Sequence, residues 1–124
     1  MLEEYFADLH IHIGGSSDGS PVKITASRKL TFPNILKEAA FKKGLDIIGV
    51  IDCASPVVLK DIDRMLASGK MKELDKGGIL YSEQMLVLPG AEIESREENG
   101  GQVHYLAFFP KIKQIKEFSS TMAN

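Results

Sequence analysis

Hydrophobic and polar positions alternate along residues 5–13, Y-F-A-D-L-H-I-H-I. In an extended chain this sets Phe6, Asp8, His10 and His12 on one face and Ala7, Leu9, Ile11 and Ile13 on the other. The expectation is a β-strand with one apolar face and one face that carries chemistry. Residues 14–26 lose this periodicity and fill with Gly, Ser, Pro and Asp. They predict a loop of about a dozen residues, a length that is usually functional or disordered. The loop leaves the C-terminal end of the first strand, where α/β folds keep their sites.

The period then changes to that of a helix. Thr31 or Asn34 is the candidate cap, Ile35, Leu36, Ala39 and Ala40 follow at helical spacing, and Gly44 stops the run. Residues 45–53, L-D-I-I-G-V-I-D-C, are almost continuously apolar and end in an acid and a thiol, as expected of a buried parallel strand. Strand, helix and strand in this order predict a right-handed crossover. A second amphipathic helix is expected over residues 56–68, through Val57, Val58, Leu59, Ile62, Met65 and Leu66, with Gly69 as its stop. Two short strands around residues 82–84, a run through Pro89-Gly90 to Ile93, a polar turn at residues 96–101, a strand from Gln102 to Phe109 and a helix after Pro110 complete the reading. The pattern is that of an α/β chain without internal repeats.

Composition narrows the function. With 15 Lys and Arg against 17 Asp and Glu, the net charge of −2 excludes a strongly basic nucleic-acid-binding domain but leaves room for a local basic groove. Lys23, Arg28 and Lys29 give the long loop such a character. Lys111, Lys113 and Lys116 read as a solvated helix face. No apolar run approaches the roughly 18 residues of a membrane span, and the acidic start is unlike a signal peptide, so the cytoplasm is the expected compartment. The single cysteine, Cys53, forms no internal disulfide and stands as packing, ligand or nucleophile.

His10 and His12, two apart on a strand, project from one face and form a two-toothed clamp for a metal ion. His104, Glu92, Asp52 and Cys53 each lie at or near the end of a separate predicted strand, and in a parallel arrangement such ends converge. Imidazole nitrogens with carboxylate oxygens suit zinc, manganese or iron, and a cluster of this kind can hold more than one ion. Asp8 is either the acceptor for the second ring N–H of a ligating histidine or a structural acid bonded to backbone. Glu92 is preferred to Glu94 because it follows the small residues Gly90 and Ala91. Gly14-Gly15 is not followed by a Gly-Lys-Ser or Gly-Lys-Thr sequence, which argues against nucleoside triphosphate binding.

These motifs carry a resemblance. Residues 7–12, A-D-L-H-I-H, residues 50–53, V-I-D-C, residues 89–93, P-G-A-E-I, and His104 resemble, in order, four motifs of the PHP (polymerase and histidinol phosphatase) domain family. Residues 21–27 and 103–110 are most similar to the amino-terminal part of endonuclease Q proteins. The resemblance implies the amino-terminal portion of a distorted (β/α)7 barrel over residues 1–124. It also implies a hydrolase of phosphate esters: a metal-dependent endonuclease of DNA repair that nicks DNA 5′ to deaminated bases or abasic sites. On this basis His10, His12, Glu92 and His104 would be metal ligands; the residues themselves add Cys53 as a metal-ligand candidate, Asp52 and Asp8 as catalytic candidates, and Lys23 and Arg28 as DNA-binding candidates. Ala54 stands where the family commonly has histidine and Gly15 where arginine is usual.

Even an eight-stranded barrel takes roughly 250 residues, so the carboxy-terminal ligands and the zinc module of endonuclease Q are expected outside this span. Weak or absent turnover and homo-oligomerisation through exposed strand edges are expected of the short chain. The alternatives are a small PHP-type phosphomonoesterase, or a non-catalytic remnant that binds metal or DNA.

Overall fold

A computed structural model describes residues 2–123; Met1 and Asn124, the outermost residues of the span read as a partial PHP domain, lie outside them. The fold is mixed α/β, with a six-stranded sheet and three α-helices among the described residues. The order is β1 (Ala7–Ile11), α1 (Phe32–Lys37), a π-helical continuation (Glu38–Lys42), β2 (Ile47–Val50), α2 (Pro56–Ser68), β3 (Met71–Glu73), β4 (Ile79–Tyr81), β5 (Met85–Arg96), β6 (Gln102–Phe108) and α3 (Ile112–Ala123). None of the described helices is long and apolar enough to cross a membrane.

The sheet path is β1-β2-β5-β4-β3, with β6 paired to the far half of β5. β1, β2 and β5 are parallel, whereas the β4 and β6 pairings with β5 are antiparallel. Val50 is level with Ile11 on one side and Pro89 on the other, so the three parallel strands end their shared register together. β5 changes partners at this point. Proline has no N–H to give a ladder, and the Pro89 carbonyl instead accepts from the backbone N–H of Phe109 at 2.9 Å. Gly90 follows because a Cβ there would lie 2.9 Å from the Phe108 ring and 3.0 Å from the Ala107 carbonyl oxygen.

Local chemistry accounts for the helices. Thr31, not Asn34, caps α1, its hydroxyl accepting from the Asn34 N–H at 3.3 Å. α2 runs from Pro56, whose missing N–H costs nothing in a first turn, to Gly69 at φ +83°, the left-handed residue that closes helices. The helices bury Phe32, Ile35 and Leu36 of α1, Val58, Leu59 and Ile62 of α2, and Ile112 and Ile115 of α3 in one core with Ile48, Val50 and Val87 of the sheet. Each such side chain contributes about 1.5–3 kcal/mol relative to exposure.

Three local expectations are corrected. The strand read as residues 45–53 is regular only over Ile47–Val50, and β3 carries too short a pattern to be seen in sequence. The apolar face of β1 is not buried along its length. Leu9 remains 44% exposed and only Ile13, beyond the strand, is fully covered, because among the described residues β1 is an edge strand paired with β2 alone. Of the lysines read as a solvated face, Lys111 donates to the Leu74 carbonyl and Lys116 pairs with Asp63 at 2.9 Å.

The long loop after β1 is ordered by specific bonds. Lys23 and Val22 donate backbone N–H groups to the carbonyls of Ile13 and Gly14, and Gly14 donates to Leu30. Asp61 of α2, 2% exposed, accepts from the Ser17 N–H at 2.9 Å and from Arg64 at 3.3 Å, so this buried charge is paired.

Candidate metal centre

The common end of β1, β2 and β5 brings the chemistry together. His10 lies within β1, His12 one residue beyond it, Asp52 two residues beyond β2, and Glu92 within β5 three residues past Pro89. On β6, Leu106 is directly opposite Glu92 and His104 is two residues along, on the same face of the antiparallel pair. One donor atom from each of His10, His12 and Glu92 lies within 4.8 Å of the other two. Glu92 Oε2 is 3.5 Å from His12 Nε2 and 3.9 Å from His10 Nε2, while its other oxygen, Oε1, is 2.8 Å from His104 Nδ1. The two clamp rings are 5.0 Å apart between centroids.

Asp52 sets the orientation of His12. Its Oδ2 accepts from His12 Nδ1 at 2.9 Å and from the Ile13 N–H at 3.1 Å. A carboxylate accepts only, so Nδ1 carries the proton and the Nε2 lone pair is left for the cluster. Asp52 takes this position with φ +71°, a left-handed conformation that Asp tolerates better than most residues. Its contact with the His12 ring holds that ring's orientation. Two nitrogens and a carboxylate oxygen in this arrangement fit zinc, manganese or iron, and the residues present are therefore a competent partial donor set.

The other candidates separate. Asp8 does not reach a histidine ring. Its Oδ1 accepts from the His10 backbone N–H at 3.1 Å, because the short side chain folds onto its own strand.

Cys53 lies apart from the cluster. It is fully buried, its Sγ lies 3.1 Å from the Val50 carbonyl, and burial pushes the thiol up to about 12. It is not among the donor atoms that converge on Glu92. Iodoacetamide at pH 8 is expected to modify Cys53 only as fast as the chain unfolds, with rapid labelling in urea as the comparison. Because the folded value is raised from the ordinary 9.0, the associated stability is full below about 9 and declines as pH rises toward 12, where the unfolded thiol ionises first.

Lys23 and Arg28 are also displaced from the site. A cavity of about 1060 Å³ beside the clamp is lined by His10 and His12 and, from the long loop, by Lys29. Lys23 is half-buried and tied through its backbone to Ile13, and neither it nor Arg28 lines the cavity. Lys37 of α1 and Lys42 of its π-helical continuation, absent from the apolar stripe the sequence suggests, also line the cavity, together with Lys43. Their clustering within seven positions was the available signal.

No family model matches the chain, and no solved structure matches it. It is similar to the uncharacterized protein YqxK of Bacillus subtilis (strain 168), with 42% identity over 123 residues, 98% of this chain. The chain spans about a third, 32%, of that relative's length.

Proposed function

We propose that the chain carries part of the centre of a PHP-type, metal-dependent phosphodiesterase, similar to the amino-terminal part of endonuclease Q proteins and acting on DNA at deaminated or abasic sites. The observation that supports this reading is the convergence of His10 and His12 from the first motif, Glu92 from the third and His104 from the fourth on a single cluster. In this reading the parallel β1, β2 and β5 open a barrel of which the remaining strands lie outside this span.

His10, His12 and Glu92 would hold a divalent ion, which when bound makes hydroxide accessible at neutral pH and offsets charge developing on phosphate. The protein's own part is orientation. Asp52 fixes the ring of His12, and Glu92 joins the clamp to His104 through its two oxygens. His104, whose Nδ1 is 2.8 Å from Glu92 Oε1, would complete the ligand set.

The purified chain is expected to retain zinc, manganese or iron, to lose it in the His10→Ala, His12→Ala double variant, and to nick a uracil-containing duplex slowly with manganese present. Plasma mass spectrometry and a denaturing gel read the two effects. Release of phosphate from histidinol phosphate without nicking would replace this reading by a phosphomonoesterase. Bound metal with hydrolysis of neither substrate would leave a non-catalytic binding protein and overturn it.

A further inference from the structure

The cavity next to the histidine clamp has two kinds of wall. Leu30, 43% exposed, and Phe41, 60% exposed, give it an apolar side, while Lys29, Lys37, Lys42 and Lys43 supply positive charge. Against these four lysines stand Asp8 and Glu38, and Glu38 is itself 3.5 Å from Lys42. The groove is thus locally basic in a chain whose net charge is −2. Its parts are braced. The Asn34 amide donates to the Lys29 carbonyl at 3.0 Å, which ties the loop to α1. The Phe41 ring rests against Tyr81, with centroids 6.0 Å apart, and still exposes most of its surface. Phe41 lies on the π-helical turn, an element found frequently at functional sites.

A phosphate alone would need the lysines and not the apolar side, and an apolar ligand would not need four cations. Repeating negative charge combined with flat apolar groups is the composition of a nucleic-acid strand, for which stacking on an aromatic side chain and lysine contacts to phosphates are the usual elements of binding. We propose that this groove binds single-stranded nucleic acid, with a base stacked on Phe41 and the flanking phosphates on Lys29 and Lys43. The inference rests on the phosphodiesterase reading only for the location of the scissile phosphate at the clamp; strand binding itself requires no ion.

The test is fluorescence anisotropy in EDTA with a labelled oligothymidylate of about 12 nucleotides, beside an abasic strand of the same length. The strand is expected to bind the unaltered chain with EDTA present. Phe41→Ala is expected to weaken oligothymidylate about tenfold and to leave the abasic strand unaffected. Lys29→Gln with Lys43→Gln is expected to weaken both strands and to lower the slope of log affinity against log salt by about 1.4. Lys113→Gln, on α3 away from the groove, is the control. No binding of oligothymidylate by a chain that does take up zinc would overturn this inference and leave the metal centre standing. Binding that follows the expected variant pattern without any metal-dependent cleavage would support the groove and count against the phosphodiesterase reading. Equal affinity for the two strands, or indifference to Phe41→Ala, would overturn the stacking assignment.

Discussion

Glu92→Gln is expected to weaken the binding of zinc or manganese by about 100-fold or more, while the fold remains intact. Changes to residues that merely support a metal ligand typically cost roughly 10- to 100-fold, and Glu92 stands at the centre of the cluster. Its Oε2 faces His10 Nε2 and His12 Nε2 and its Oε1 faces His104 Nδ1. Glutamine preserves the shape but removes the negative charge. It also turns one acceptor into an N–H2 donor, which meets either the His104 N–H or an ion seated between the clamp histidines.

Titration calorimetry of the metal-free chain measures the effect, and the urea midpoint checks the fold. Asp52→Asn provides the graded comparison, since it touches only the Nδ1 side of His12 and the Ile13 N–H. Its loss is expected to fall within about 10- to 100-fold. Unchanged affinity in Glu92→Gln would mean that the triad is not the metal centre.

Gly14→Ala is expected to cost about 2–4 kcal/mol of folding stability, the range of substitutions that force atoms into occupied backbone space. A Cβ on Gly14 would coincide with the Ser27 carbonyl, lying 2.6 Å from its carbon, and would be 3.1 Å from the Ala26 carbonyl carbon. All of these neighbours are backbone, so no side chain can rotate aside. Nor can Gly14 move freely, since its N–H donates to the Leu30 carbonyl at 2.8 Å and its carbonyl accepts from Val22 at 3.0 Å.

A urea titration measures the loss. Gly101→Ala is the comparison, because its nearest neighbour would be the Asn99 side-chain oxygen at 3.7 Å and the expected change is within about 0.5 kcal/mol. Gly14 is two residues from His12, so metal affinity is expected to fall with stability in the first variant and to hold in the second. Equal urea midpoints for the two variants would refute the packing argument.

Sequence by itself determined the features that local geometry encodes. The period of two over residues 5–13 assigned His10 and His12 to one face, and the helical period with Pro56 and Gly69 at its ends delimited α2 as the structure has it. The polar residues 82–84 marked the turn between β4 and β5, where Ser82 and Glu83 take positive φ. These signals depend on neighbours a few positions apart, which a linear reading sees directly.

The tertiary structure decided whatever depends on register between distant strands. Alignment of Ile11, Val50 and Pro89 placed Glu92 against the clamp. The β5-β6 pairing then delivered His104 to its second oxygen. The same packing turned Asp52 toward the Nδ1 side of His12 and sealed Cys53 into the core. It also selected Lys29 over Lys23 and Arg28 for the groove. Residue type limits what a side chain can do, but its solvation and its partner determine which of those roles it fills, and for His12 the deciding partner, Asp52, follows a different strand of the sheet.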